Sequence, residues 1–135
     1  MLCDESLRLR FGRELLIDLD DCSGDICDIK SLNKLIDDIC LIGGMSRKGE
    51  PLIEYFPDDD FNRERDIVGY SICQIISLSN ITFHINEISK TVYINYFTCG
   101  DLKVDETMGV IRNYFKAKKE KFMIVTRDAK TINFF

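Results

Sequence analysis

The chain has 135 residues, of which 18 are basic, 23 are acidic, six are cysteine and one is histidine. This length suits a single domain with a substantial core, and 45% hydrophobic with 30% charged residues is typical of a globular protein. A net charge of −5 provides no basic surface for nucleic acid, and one histidine excludes a multi-histidine metal site. No apolar run approaches the roughly 18 residues that span a bilayer, so no membrane association is expected.

The first half of the chain is predicted to contain two strands and one helix. Residues 15–19 are apolar enough for a strand, and apolar residues recur every three or four positions over 29–42, which predicts a helix. The glycines at 43–44 supply the left-handed stop that glycine tolerates. Residues 52–56 form a short predicted strand, and the charged segment 57–66 is expected to be a solvated surface loop.

The second half is predicted to be mostly β-strand with one further helix. The predicted elements are strands at 69–77, 81–85 and 91–97, a helix at 105–116 and a strand at 122–126. A polar segment, residues 78–80, separates the first two of these strands. The order of elements predicts one α+β domain over residues 1–135, a two-layer sandwich in which a mainly antiparallel sheet carries two helices on one face.

The six cysteines do not form a recognisable framework. Cys3, Cys22, Cys27, Cys40, Cys73 and Cys99 include no C-x-x-C pair, and no metal site is expected. The first residues lack the basic and apolar regions of a secretory signal peptide. We therefore expect a cytoplasmic protein with reduced thiols, in which most cysteines are small buried hydrophobic residues.

The residues that could carry chemistry lie between positions 69 and 100. On the predicted strand, His84 shares a polar face with Thr82 and Asn86, opposite an apolar face. Ser79 precedes this strand, and Cys99 stands before a glycine at the end of the next one. Each residue taken alone is more often structural than catalytic. The residue types therefore indicate only that a serine, a histidine and a cysteine could share a cleft.

At these positions the sequence resembles the small bacterial and archaeal S-adenosylmethionine decarboxylases. Those enzymes carry a Gly-x-Ser strand, a cleaved serine followed five residues later by histidine, and a Phe-(Thr/Ser)-Cys segment. The matching features, aligned without gaps, are Gly69-Tyr70-Ser71, Ser79 with His84, and Phe97-Thr98-Cys99. The similarity extends to residues 11–18 and 114–119, and it covers approximately residues 11–128.

The resemblance implies a self-processing enzyme. The Ser79 hydroxyl would attack the carbonyl of Leu78 and form an ester, and β-elimination would leave a pyruvoyl cofactor at residue 79. A pyruvoyl carbonyl condenses with a substrate amine and withdraws electrons from the carbon that bears the carboxylate. By the same resemblance, Ser71 and His84 serve processing and Cys99 donates a proton during decarboxylation.

The implied reaction makes the aminopropyl donor for spermidine, a step of polyamine biosynthesis, from the small molecule S-adenosylmethionine. Cleavage of this zymogen between Leu78 and Ser79 would leave residues 1–78 and 79–135 folded together. The family also implies a homodimer whose active sites take residues from both protomers.

The chain departs from the family pattern on both sides of the cleaved serine. Leu78 replaces a glutamate and Asn80 replaces a histidine. Because polar neighbours can orient or protonate the strained ester, these two changes could slow processing.

The substrate-binding positions also differ from the family. After the histidine the family has Thr-(Trp/Phe/Tyr)-Pro-Glu, with the aromatic ring stacked on adenine, but Asn86 stands at that aromatic position. Glu87 is one position early, and a shift of one residue on a strand points a side chain to the opposite face. Tyr55 or Phe56 could supply the second aromatic ring of the site.

Four interpretations remain open at this point. The first is a pyruvoyl-dependent S-adenosylmethionine decarboxylase. The second is the same chemistry on a small amino acid such as ornithine or arginine, which the altered adenosine pocket favours. The third is a non-processing paralogue that acts as a regulatory partner, which Leu78 and Asn80 favour. The fourth is an unrelated α+β domain.

Overall fold

A computed structural model describes residues 12–129, which form one six-stranded sheet and three helices. The elements are β1 (Gly12–Asp20), α1 (Ile29–Gly43), β2 (Leu52–Phe56), α2 (Asp60–Glu64), β3 (Gly69–Ile76), β4 (Ser79–Asn86), β5 (Thr91–Thr98), α3 (Val104–Phe115) and β6 (Lys119–Arg127). The strands lie in the order β2-β3-β4-β5-β1-β6, and every neighbouring pair is antiparallel. The predicted α+β sandwich is confirmed. Within residues 12–129, no helix is long and apolar enough to cross a membrane.

The core lies between one face of the sheet and the two long helices, α1 and α3, which pack against each other. The strand side chains buried there are Leu15, Ile17, Leu19, Ile72, Ile76, Ile81, Phe83, Ile85, Val92, Ile94 and Tyr96. The helices contribute Leu32, Leu35, Ile36, Ile39, Met108, Ile111 and Phe115. Each fully buried side chain of this kind contributes about 1.5–3 kcal/mol of hydrophobic free energy, so this layer holds the sandwich together.

Helix α1 ends where the paired glycines predicted a stop. Gly44 adopts a φ of 65°, in the left-handed region, and its backbone N–H is directed at the carbonyls of Cys40 and Leu41. Glycine has no Cβ to oppose this conformation, so it ends the helix without strain.

The predicted surface loop at 57–66 contains a short helix, α2, which the charged sequence did not predict. Asp59 caps this helix, because its carboxylate accepts a hydrogen bond from the backbone N–H of Asn62 at 2.7 Å. The Asn62 side chain is buried and donates to the carbonyl of Pro57 at 2.8 Å. The segment is charged as expected, but an aspartate at the N-cap position allows one ordered turn.

The polar segment between β3 and β4 is shorter than predicted. The hairpin turns through Ser77 and Leu78, whereas Ser79 and Asn80 belong to β4. The buried residues of β4 fix its register, and its pairing with β5 continues as far as Ser79 opposite Thr98.

The opposite face of the sheet, called the open face below, lies away from α1 and α3. Its side chains include Ser71, Cys73, Ile75, Thr82, His84, Tyr93 and Asn95. The exposed large hydrophobic residues on this face are Leu52 (76% exposed), Ile75 (60%), Tyr93 (45%) and Met123 (61%). These side chains stand on four different strands across the sheet, and a second sheet packed against this face would bury them.

Candidate active site

The bond predicted to be cleaved lies at an exposed hairpin turn. Leu78 has a φ of 61°, and the left-handed region costs a non-glycine residue about 1–2 kcal/mol. Its side chain is 60% exposed, so packing does little to offset this strain. The other non-glycine residues with positive φ in the described part of the chain are all aspartate or lysine. The Leu78–Ser79 bond therefore follows a strained, poorly packed residue.

The carbonyl of this bond is held by the neighbouring strand. The backbone N–H of Cys99 donates a hydrogen bond to the oxygen of Leu78 at 3.0 Å. Cys99 directly follows β5, whose Thr98 pairs with Ser79, so the β-ladder brings two distant parts of the chain together. An N–H group directed at this oxygen would stabilise the negative charge that develops when a nucleophile attacks the carbonyl carbon. The Cys99 thiol is free and partly exposed.

The hydroxyl of Ser79 contacts a methionine that no sequence motif indicated. Ser79 Oγ donates a hydrogen bond to Sδ of Met45 at 3.0 Å, and Thr98 Oγ1 donates to the same sulfur at 3.6 Å. Met45 follows the end of α1, and only the tertiary fold brings it to the β3–β4 hairpin.

A second polar pair lies in the middle of the open face. Ser71 on β3 is directly opposite His84 on β4, and Ser71 Oγ is 2.9 Å from His84 Nδ1. The His84 ring also stacks on Tyr93 of β5, with ring centroids 6.4 Å apart and an angle of 27° between the planes. These three residues, together with Glu54, line an open groove of about 340 Å³.

A single chain does not bring these two groups of residues together. Ser79 and His84 are five residues apart on one strand, which corresponds to about 16 Å. Successive side chains on a strand alternate between the two faces of the sheet, so residues five positions apart point to opposite faces. The Ser79 side chain contacts Met45, whereas His84 lines the open-face groove. The sequence indicated only that Ser79 and His84 could share a cleft, and in the fold of one chain the two side chains lie far apart on opposite faces of the sheet.

Two of the four residues predicted to bind substrate lie on the open face. Phe56 and Asn86 flank Gly69 on either side, each paired with it across the sheet. Asn86 is only 4% exposed, and its Nδ2 donates to Thr91 Oγ1 at 2.9 Å. Gly69 has a φ of 143°, and a Cβ there would lie 2.0 Å from the carbonyl oxygen of Ile85. The position between Phe56 and Asn86 therefore has to be glycine.

The other two predicted substrate residues lie elsewhere. Tyr55 alternates to the helix-side face of β2, where its ring centroid is 5.0 Å from that of Tyr70. Glu87 follows β4 and lines a separate small cavity that includes Cys27 and Lys90. Burial, and after it the charge of Glu87, raises the pKa of the Cys27 thiol to about 11. Tyr55 and Glu87 therefore do not share a face with His84.

The thiols form no cluster in the part of the chain that the structure describes. Cys22, Cys27, Cys40, Cys73 and Cys99 are free, and Cys3 lies outside the described residues. Between residues 12 and 129, no three histidine, cysteine or acidic side chains are grouped as a metal site would require.

A family model described as S-adenosylmethionine decarboxylase matches residues 13–128. The chain belongs to the S-adenosylmethionine decarboxylase family. The crystal structure of the adenosylmethionine decarboxylase from Aquifex aeolicus VF5 is similar to it, with a TM-score of 0.69 and 16% sequence identity over 88% of this chain and 92% of that chain. This likeness shows that the two proteins share a fold. No curated protein matches the sequence.

Membership of the S-adenosylmethionine decarboxylase family confirms the resemblance drawn from a few short motifs. The matched region contains Ser71, Ser79, His84 and Cys99. In the fold, two of them form the Ser71–His84 pair, and the other two lie together at the β3–β4 hairpin.

Proposed function

We propose that this chain is a self-processing, pyruvoyl-dependent S-adenosylmethionine decarboxylase of polyamine biosynthesis. The observation that carries the proposal is the geometry of the Leu78–Ser79 bond. The bond follows a left-handed leucine in an exposed turn, and its carbonyl oxygen accepts the Cys99 N–H at 3.0 Å. A peptide bond that follows a residue in a strained conformation, with a charge-stabilising donor at its oxygen, fits a site of self-cleavage.

Processing begins when Ser79 Oγ attacks the carbonyl carbon of Leu78. The peptide C–N bond breaks, an ester forms, and the amine of residue 79 is released. Loss of the Cα proton of residue 79 then breaks the bond between Cβ and Oγ of that residue. Both oxygens stay on Leu78 as a carboxylate, and residue 79 keeps a carbon–carbon double bond next to its amine. Water finally displaces ammonia from residue 79, so the second chain begins with a pyruvoyl group.

The residues around the hairpin fit such a group. A pyruvoyl group supplies a carbonyl that condenses with the substrate amine and withdraws electrons from the carbon that loses carbon dioxide. We assign Cys99 as the residue that returns a proton to the substrate, because its backbone is hydrogen-bonded to residue 78 and its thiol is free.

S-adenosylmethionine is the substrate that we propose. Phe56 and Asn86 lie two strand spacings apart, about 10 Å, with only Gly69 between them. Phe56 is partly exposed, and its ring offers a stacking surface for a planar base. Asn86 offers no ring, and this keeps a small amino acid, such as ornithine or arginine, as the alternative substrate.

We also propose a homodimer in which Ser71 and His84 of one protomer serve the Ser79 of the other. Ser79 and His84 lie roughly 16 Å apart along one strand, and this separation supports the arrangement because one protomer does not bring the two side chains together. The exposed apolar side chains of the open face also support it, because two sheets can pack face to face about 10 Å apart and bury them.

Self-cleavage is tested by mass analysis of the purified protein under denaturing conditions. We expect two chains, residues 1–78 and 79–135, in place of one 15.6 kDa species. Ser79→Ala should remain intact, whereas Ser89→Ala, at the turn between β4 and β5, should be cleaved like the wild type. An intact wild-type chain that does not react with carbonyl reagents would contradict the enzyme and favour the non-processing paralogue.

Catalysis is tested by carbon dioxide release from S-adenosylmethionine, ornithine and arginine. Cys99→Ala should still be cleaved but should lose roughly 100-fold or more in turnover, as expected when a general acid is removed. Full activity of that variant would remove its assigned role. Activity on the amino acids alone would replace the proposed substrate with the alternative.

The shared site is tested by mixing two defective chains. A Ser79→Ala chain keeps His84, and a His84→Ala chain keeps Ser79. We expect the His84→Ala chain to stay intact alone and to be cleaved when it is co-expressed with the Ser79→Ala chain. No cleavage of the mixed pair, with cleavage of the wild type, would show that processing does not use the partner's histidine.

A further inference from the structure

The loop after α1 is attached to the β3–β4 hairpin by backbone hydrogen bonds. The N–H of Ser77 donates to the carbonyl of Ser46 at 2.9 Å, and the N–H of Lys48 donates to the carbonyl of Ile75 at 2.8 Å. Ser77 Oγ also accepts the N–H of Ser46 at 3.0 Å. These bonds fix the position of the neighbouring Met45 relative to the hairpin.

The Met45 side chain fills the space beneath Ser79. A Cβ at Gly43 would lie 2.5 Å from the Met45 methyl carbon, and a Cβ at Gly100 would lie 3.7 Å from its sulfur. The absence of a side chain at Gly43 therefore makes room for the thioether, whereas a Cβ at Gly100 would only be in ordinary van der Waals contact with it. The sulfur accepts hydrogen bonds from Ser79 at 3.0 Å and from Thr98 at 3.6 Å. It is therefore the acceptor to which the Ser79 hydroxyl is directed before cleavage.

A thioether orients a hydroxyl but does not activate it. Methionine sulfur is a weak acceptor and takes no proton at neutral pH. When Ser79 Oγ attacks the Leu78 carbonyl it must give its proton to a base, and the hydrogen bond to Met45 is then lost. An interaction that is present in the ground state and absent in the transition state raises the barrier.

We propose that Met45 is a positioning residue that restrains the Ser79 hydroxyl and slows self-cleavage of the chain. The inference rests on the proposed self-processing at Ser79. It assigns the timing of maturation to a residue outside the four motif positions, on a loop that packs under the hairpin.

The test follows the rate of self-cleavage in freshly synthesised full-length chains by mass analysis. Met45→Leu keeps the volume but removes the acceptor, and we expect cleavage about two- to threefold faster, the low end of the effect of one neutral hydrogen bond because sulfur is a weak acceptor. Met45→Gln restores an acceptor at similar reach, so its rate should return to the wild-type value or below. Met108→Leu makes the same exchange in the buried core and should leave the rate unchanged.

The outcomes separate this inference from the proposed function. A Met45→Leu rate at or below the wild-type rate, with a normal Met108→Leu, would overturn the role of Met45 while leaving self-cleavage in place. Equal acceleration in Met45→Leu and Met45→Gln would show an effect of packing and would also overturn it. If Met45→Leu does not fold, Met45→Ala is compared with Met45→Gln by the same criteria. A wild-type chain that never cleaves would overturn both proposals.

Discussion

Replacing Arg47 is expected to destabilise the fold because its guanidinium connects α1 to β3 through a buried amide. Oε1 of Gln74, a residue with no exposed surface, accepts hydrogen bonds from Nε of Arg47 at 3.0 Å and from Nη2 at 2.8 Å. Nη2 also donates to Oδ1 of Asn33 at 2.6 Å, and Nη1 donates to the Asn33 carbonyl at 3.3 Å. Arg47 therefore holds the loop that carries Met45.

The magnitude for Arg47→Met follows from the groups left behind. A buried Oε1 of Gln74 without its donors costs about 1–3 kcal/mol, and loss of the charge-assisted bond to Asn33 costs about 1.5–3 kcal/mol more. We expect a total of about 2.5–6 kcal/mol, measured as the free energy of unfolding in urea. Lys34→Met, which breaks only an exposed helical pair with Asp38, should cost less than about 0.5 kcal/mol.

The double variant Arg47→Met with Gln74→Leu checks the cause. Because it removes both partners of the buried bond, its cost should be smaller than the sum of the two single variants. A cost below about 1 kcal/mol for Arg47→Met, or strictly additive costs, would refute the argument that the buried amide depends on Arg47.

Two further predictions concern a glycine and a thiol. Gly69→Ala should destabilise the protein by at least about 3 kcal/mol in thermal unfolding, because the new Cβ meets the Ile85 carbonyl at 2.0 Å in a conformation that only glycine tolerates. Gly109→Ala, in an open position on helix α3, should instead stabilise the protein by up to about 1 kcal/mol. A lower melting temperature for Gly109→Ala would contradict the argument that the cost at Gly69 comes from its backbone conformation and close contact. Burial, and after it the charges of Asp20 and Asp21, raise the pKa of the Cys22 thiol from 9.0 to about 11. Between these two pH values the native state therefore keeps a thiol proton that the unfolded chain has lost. The free energy of unfolding should therefore fall as pH rises from 9 to 11, and Cys22→Ala should flatten that fall.

The elements that the sequence predicted well are those with a strong local pattern. The helix at 29–42 and the strand at 52–56 differ from the observed bounds by one residue or none, because apolar spacing and the paired glycines define them locally. Strand alternation also placed His84 on the polar face, and the register then brought it within 2.9 Å of Ser71. Local periodicity sufficed for both results.

The features that the sequence did not predict lack a strong local pattern, and one of them depends on a contact between distant segments. The short helix α2 begins directly after Asp59, whose side chain caps it. Asp59 stands in a run of charged residues, and such a run is typical of a surface loop, so the sequence pattern did not indicate a cap. The place of Met45 under Ser79 depends on the loop that follows α1, and a methionine in a loop carries no motif. The separation of Ser79 from His84 became clear only when the turn was fixed at Ser77 and Leu78.

The order of strands decides how the protein would behave once cut at residue 78. The first fragment would hold β1, β2 and β3, the second would hold β4, β5 and β6, and β1 lies between two strands of the second fragment. The sheet has five pairs of hydrogen-bonded neighbouring strands. Three of these pairs would then consist of strands from different chains: β3–β4, β5–β1 and β1–β6. The fragments would interlock in one sheet rather than sit side by side. Refolding, which is unimolecular for the intact precursor, would become bimolecular, so its rate would depend on protein concentration after maturation and not before.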